Sequence, residues 1–262
     1  MGDYLSTISR IEFDVDIFKY ILPAGILRNS FIIIAGRGGT GKSLLINSIV
    51  KSFIEKGEPV VYVDYDDDPG SILSYFEAIG LNLDEAWSKG LFYLIDGFSF
   101  MIKGFKPQKP SFVVDEDDPR ELDSTISKII KVLDEKNIRN RGLLVIDSFN
   151  IYLNYHEASR VLELVWILRA NTSKARGVLT ITTLHTDTEY YKDFLDGVEH
   201  VVDGIILTEN IEQHPFLQEY SIPLRQIMVK KMKGVPHRTG WTLYTIYDSK
   251  PLPVRIKKEE SS

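Results

Sequence analysis

Eight consecutive residues, Gly36-Arg37-Gly38-Gly39-Thr40-Gly41-Lys42-Ser43, have the types and spacing needed to hold a phosphate chain: a glycine, four intervening residues, then Gly-Lys-Ser. Glycines permit φ values that a Cβ would oppose. The backbone can then curl so that several N–H groups point inward as an anion nest. A helix opening at Lys42 would add its N-terminal partial positive charge at the same point. In such a loop Gly36, Gly38, Gly39, Thr40 and Gly41 shape the cradle and Lys42 bridges the β- and γ-phosphates. The Ser43 hydroxyl holds Mg²⁺. The competing reading is a Gly-rich strand-to-helix turn that binds nothing. It fits less well, because an apolar run (Phe31 to Ala35), the full motif and a helical pattern coincide. The expectation is a nucleoside triphosphate site.

A phosphate loop does not hydrolyse anything by itself. It needs a carboxylate for the metal's shell and a group that orients the attacking water. Asp147 closes the apolar run Leu143-Leu144-Val145-Ile146, and open α/β sheets bind ligands at such strand ends. The bland alternative is an Asp that caps a turn. Asp66 and Asp67 follow the apolar run Val60 to Val63 and are the candidates for the water. They could instead form only a turn and helix cap before Pro69.

These groups need a scaffold, and the hydrophobic pattern predicts one. Apolar runs at 31–35, 60–63, 91–95, 143–146 and 178–183 read as buried strands. Between them lie helical patterns. Leu45, Ile46, Ile49, Val50, Phe53 and Ile54 share one face, ending at the C-cap Gly57. Ile72 to Ile79 stops at Gly80, and a short helix is expected at 83–88. Asp118-Pro119-Arg120-Glu121 reads as a helix start, with the acid run Asp115 to Asp118 serving its dipole. A longer helix at 157–174 turns Val161, Leu164, Val165 and Leu168 inward, with Trp166 in core or interface packing. A further strand is expected at 201–207. A hairpin is expected from 226–231 and 241–246. Strands alternating with helices predict a mostly parallel sheet flanked by helices, with antiparallel strands at the C-terminal edge. The domain reading is a lead-in segment at 1–29, one domain at 30–256, and a charged tail at 257–262 that is expected to be disordered.

Composition narrows the classes. The 262 residues are 44% hydrophobic and 26% charged, with a formal net charge of −6 and no cysteine. Disulfide frameworks and thiolate chemistry are excluded, and broad attraction to nucleic acid or anionic lipid is disfavoured. One loop, with Lys103, Lys106 and Lys109 among Phe105, Pro107, Pro110 and Phe112, could grip single-stranded nucleic acid. Three lysines in a Pro-containing loop are more commonly just solvated. The first residues lack the apolar core of a signal peptide, and no run approaches the ~20 apolar residues that span a bilayer. A soluble, cytoplasmic protein without membrane insertion is expected.

The chain resembles the KaiC/RadA branch of the RecA-type ATPases from about Phe13 to Val254. The likeness rests on GRGGTGKS (36–43), VVYVDYDDDPGSI (60–72), LLVIDS (143–148), VEHVVDGIIL (198–207) and KKMKGVPH (230–237). It implies a RecA-like fold, ATP with Mg²⁺, and self-assembly into a ring (a hexamer among the options) or filament with nucleotide at the subunit interfaces. The family's paired glutamates, one of which activates water, fall on Asp66 and Asp67, each one methylene shorter. Its Lys-x-Arg-Gly motif reaches a neighbour's γ-phosphate and falls on Lys231-Met232-Lys233-Gly234. There Lys233 supplies a point charge without the planar fork of arginine. Both departures imply slow hydrolysis, and Arg37 stands where related loops often carry an apolar residue. Two other uses of ATP stay open. One is a non-hydrolysing, ATP-gated assembly or regulatory protein; the other is a RadA-paralogue-like role in DNA repair or recombination. The acidic stretch His185 to Asp196 argues against DNA at that position.

Overall fold

A computed structural model describes residues 9–105, 107–211 and 223–254. Lys106 and the tail at 257–262 lie outside the described residues. The chain opens with β1 (Arg10–Ile11), α1 (Asp16–Ile21), β2 (Ile26–Leu27) and β3 (Phe31–Gly36). Next come α2 (Lys42–Glu55), β4 (Val60–Asp64), α3 (Pro69–Ala78), α4 (Leu83–Ser88), β5 (Phe92–Asp96) and β6 (Val113–Glu116). After α5 (Leu122–Glu135) and β7 (Leu143–Asp147), α6 (Asn150–Tyr155) leads into α7 (Ala158–Leu168). The last part holds β8 (Leu179–His185), α8 (Glu189–Val198), β9 (Gly204–Asn210), β10 (Leu224–Met232), β11 (Thr242–Tyr247) and β12 (Lys250–Pro253).

One ten-stranded sheet organises these elements, in the order β12-β11-β10-β9-β3-β8-β7-β4-β5-β6. From β9 to β6 every neighbouring pair is parallel. The pairs from β9 to β12 are antiparallel. This is the mostly parallel, helix-flanked sheet that the alternating pattern predicts, and the RecA-like architecture that the resemblance implies. The central strands are buried at every position because helices cover both faces. Alternate residues of β3 divide between two cores. Ile32 and Ile34 pack with Leu45, Ile49 and Phe53 of α2, while Phe31 and Ile33 pack with Val161, Leu164 and Leu168 of α7. All parallel strands end on one edge of the sheet, where the candidate residues gather.

Several elements depart from the sequence expectation. The stretch 97–116 contains β6, a half-exposed edge strand of sequence Val-Val-Asp-Glu that has no apolar run to announce it. Within it Lys109 turns inward, 3.5 Å from Asp96 and paired with Glu116, and Phe112 is fully buried. Neither is free to grip nucleic acid. The helix expected from Asp118 begins at Leu122 instead. Asp118 folds back onto the N–H and guanidinium of Arg120 and forms a turn. Asp117 does not serve that helix's dipole from the surface. It is buried, and accepts hydrogen bonds from Tyr65 (2.8 Å), Thr125 (2.6 Å) and Lys128 (3.1 Å). Residues 157–174 divide into α7 and a π-helical stretch, Arg169–Lys174. Trp166 is 48% exposed and stands edge-on to His200, outside the core. The ninth strand starts three residues later than the pattern suggests, because Val201 to Asp203 form a buried turn. Among the described residues, no helix is long and apolar enough to cross a membrane.

Candidate functional site at the carboxyl edge of the sheet

The loop between β3 and α2 begins where β3 runs out, wedged between its two parallel neighbours. Gly36 pairs with His185 of β8 and Thr208 of β9. A Cβ at Gly36 would lie 2.2 Å from the Thr208 hydroxyl oxygen and 2.3 Å from its carbonyl oxygen, so no larger residue fits. Gly39 and Gly41 have φ of 75° and 89°, the left-handed region that lets the chain curl. Thr40 pins the curl, its hydroxyl 2.9 Å from the Arg37 carbonyl and 2.8 Å from the Thr208 hydroxyl. The C-terminal hairpin braces it from outside, with the Tyr244 hydroxyl donating to the Thr40 carbonyl at 2.7 Å.

Lys42 is 4% exposed, and its Nζ donates to the carbonyls of Gly36 and Arg37, both at 2.9 Å. Burial pulls its pKa down, opposed by the charges of Asp147, Asp187 and Asp66. Ser43 is exposed in the first turn of α2. Gly38 donates its N–H to the carboxylate of Asp187, 3.0 and 3.1 Å from the two oxygens. That hydrogen bond is the main reason Asp187 titrates below the usual carboxylate range. An oxyanion thus already sits on a loop amide, and a phosphate oxygen makes the same demand. A cleft of about 700 Å³ opens beside the loop, lined by Gly38, Thr40, Asp187, Asn210 and Lys230 among others.

The neighbouring strand ends bring in the carboxylates. Asp147 of β7 is 5% exposed and accepts from the hydroxyls of Tyr62 (3.1 Å) and Thr183. Burial pushes its carboxyl up to about 6. The peptide bond between Asp147 and Ser148 is cis. Asp64 ends β4, directly beside Asp147 in the register. Burial, then the charge of Asp147, raises it well above the carboxylate range. Asp66 faces the loop: it accepts from the Ser148 hydroxyl at 3.2 Å and lies 3.9 Å from His185 Nε2. Asp67 does not join this group; it meets the Tyr75 hydroxyl of α3 at 3.4 Å.

Lys231 and Lys233 lie elsewhere. The β10 register pairs Arg225 with Asn210, near the loop, and Met232 with Gly204, at the opposite edge. Lys231 donates to the Glu199 carbonyl, and Lys233 stands 3.5 Å from the Val201 carbonyl and 3.8 Å from Asp203. Neither can reach the loop of its own chain.

Sequence reasoning missed His185, Asp187 and Thr183. His185 ends β8, with Nδ1 3.4 Å from Lys42 Nζ and 3.6 Å from Asp187. Asn150 holds its backbone from both sides, accepting from the N–H at 2.7 Å and donating to the carbonyl at 3.1 Å. Burial and the charge of Lys42 lower its pKa, so it is neutral at pH 7. The strand-end rule that singles out Asp147 also picks His185, once β8 is known to neighbour β3.

The donor set fits a metal-bound triphosphate. It combines loop amides with anion affinity, a buried ammonium, a hydroxyl at a helix start and a carboxylate two strands away.

Comparison with known proteins places this arrangement in context. The family profile described as "ATPase: KaiC" matches residues 11–259. A UPF0273 protein of Thermotoga maritima is 28% identical over 232 residues, covering 88% of this chain and 89% of its own. Similar proteins of the same name come from Pyrococcus furiosus and Methanocaldococcus jannaschii. The first is 25% identical, covering 88% of this chain and 87% of its own; the second is 27% identical, covering 88% and 90%.

Proposed function

The chain belongs to the KaiC ATPase family, and from that premise we propose that it binds ATP with Mg²⁺ at the 36–43 loop and hydrolyses it slowly within a homo-oligomer. The observation that carries the reading is the convergence of Lys42, Asp147, Asp66 and His185 around the loop. Residues 30–256 act as one ATPase domain in the cytoplasm, where ATP is supplied.

Loop amides and Lys42 take the phosphate oxygens, and Lys42 is already desolvated, so its charge acts in a low-dielectric setting. Ser43 and Asp147 hold the Mg²⁺, directly or through water; when bound, it neutralises charge on the phosphates. Asp147 is fixed for this by Tyr62 and Thr183. Asp66 orients the attacking water. Of the paired candidates it alone faces the loop, so Asp67 is assigned to the turn. His185, held through its backbone by Asn150, adds an imidazole beside Lys42 and Asp66 to the lining of the phosphate site. Catalysis is positioning and electrostatics throughout.

Lys231 and Lys233 serve a neighbour's site, which makes the assembly head-to-tail. Charge at the opposite edge supports this: Arg169, Lys174 and Lys233 gather around one carboxylate, Asp203, and leave a net positive cluster there.

Two departures favour a second reading, in which ATP gates assembly and turnover is incidental. Asp66 is shorter than glutamate, and Lys233 lacks the guanidinium fork. Light scattering in parallel with phosphate release separates them, with ATP, ADP or no nucleotide in Mg²⁺ buffer. ATP-driven assembly with steady phosphate release supports the ATPase reading. Assembly without release supports the gate. Failure of Lys42→Ala to weaken ATP binding would remove both.

A further inference from the structure

Beyond the last sheet pairing of β4, which joins Asp64 to Asp96 on one side and Asp147 on the other, the chain must turn so that Asp66 faces the loop. The turn is held by a side-chain clamp of the kind that Asp96 also makes, through the N–H groups of Phe98 and Ser99, at the end of β5. A single oxygen, Oδ1 of Asp64, accepts the N–H groups of both Asp66 and Asp67, each at 2.9 Å. Asp64 is 3% exposed, so this acceptor works away from water, where an unmade hydrogen bond is costly. The backbone on either side is fixed as well: Gly97 N–H donates to the Asp64 carbonyl and Tyr65 N–H to the Asp147 carbonyl, both at 2.7 Å. Tyr65 leaves on the other face, its hydroxyl bonded to Asp117. Downstream, Asp68 caps α3 through Gly70 and Ser71. Between these anchors, the path of residues 66 and 67 is set by the carboxylate of Asp64.

We propose that Asp64 is a positioning residue for hydrolysis: its clamp on the Asp66 and Asp67 amides aims the Asp66 carboxylate at the nucleotide site. The proposal rests on the reading of Asp66 as the group that orients water. Asp64 itself touches no substrate. Loss of the clamp lets the turn relax, and a displacement of about 1 Å at a water-orienting carboxylate costs on the order of 100-fold in rate.

The test uses the full chain with Mg²⁺ and ATP. Asp64→Ala lowers kcat about 10- to 100-fold and leaves ATP affinity within about twofold, because the loop at 36–43 is untouched. Asp64→Asn keeps an oxygen that can accept both amides and retains kcat within about threefold. In an Asp66→Asn background, Asp64→Ala lowers the rate no further, since Asp64 acts through Asp66. Amide hydrogen exchange without nucleotide gives a readout independent of turnover. The Asp66 and Asp67 amides are protected in the native chain and in Asp64→Asn, and exposed in Asp64→Ala. If Asp64→Ala does not fold, Asp64→Leu fills the same space without an acceptor and is read in the same way. Unchanged kcat and exchange in Asp64→Ala, equal losses in the Ala and Asn variants, or losses that multiply with Asp66→Asn would each overturn the proposal while leaving the role of Asp66 intact. Native turnover in Asp66→Asn would overturn that role, and the proposal with it.

Discussion

Replacing Asp147 by Asn should make the nucleotide-free protein more stable at pH 8 while removing the carboxylate proposed to hold Mg²⁺. Burial raises the Asp147 carboxyl from its ordinary 3.8 to about 6. In the pH range between those values the folded chain binds more protons than the unfolded chain, so stability falls as pH rises. Above pH 6 the full cost is present, about 3 kcal/mol at roughly 1.36 kcal/mol per pH unit. Below about pH 4 it vanishes. Asparagine removes the charge and keeps the shape, but it can accept from only one of the two hydroxyls that bind Asp147. One of Tyr62 and Thr183 must rotate, at about 1 kcal/mol. The net expectation is a gain of about 2 kcal/mol at pH 8 and a loss of about 1 kcal/mol at pH 4. Urea unfolding of both proteins at the two pH values, without Mg²⁺ or nucleotide, measures it. An Asn variant less stable than the native chain at pH 8 would refute the reasoning, since it would mean the buried carboxylate carries no net penalty.

Gly36→Ala places a methyl group 2.2 Å from the Thr208 hydroxyl and 2.3 Å from its carbonyl oxygen. It should cost about 3 kcal/mol; a shift below about 1 kcal/mol in urea unfolding contradicts the packing argument. Lys42→Ala removes a buried ammonium from the loop, and ATP affinity by calorimetry should fall by about 100-fold or more, worth about 2.8 kcal/mol. Asp67→Asn should keep turnover within about threefold, because Asp67 faces Tyr75; a loss matching that of Asp66→Asn would show both carboxylates at work. Lys233→Ala should weaken ATP-dependent assembly and leave ATP binding by the single chain unchanged, which sedimentation with and without nucleotide checks.

The loop, the strands that flank it and Asp147 were legible in the sequence because each depends on local pattern: apolar runs, a glycine spacing, an acidic residue at a strand end. The helix faces of α2 and α7 followed from spacing in the same way. What pattern could not supply was adjacency. His185 and Asp187 read as part of a polar stretch until β8 is seen to lie against β3. The distinction between Asp66 and Asp67 depends on Ser148 and Tyr75, which are 82 and 8 residues away in the chain. The strand β6 and the inward turn of Lys109 were hidden because a half-exposed edge strand has no hydrophobic signature. Asp117 looked like one of four surface acids, and only tertiary contacts with Tyr65 and Thr125 draw it inside.

The course of β10 has a stoichiometric consequence. This nine-residue strand, about 30 Å long, begins beside the phosphate loop and ends at Lys231 and Met232, at the opposite edge. If Lys231 and Lys233 complete a neighbour's site head-to-tail, as proposed, a pair of subunits makes one finished site, not two. An open chain of n subunits always leaves one site unfinished, and only closure into a ring makes every site equivalent. Turnover per subunit would therefore rise with chain length as (n−1)/n and reach its ceiling on closure, which turns specific activity into a gauge of whether the assembly is open or closed.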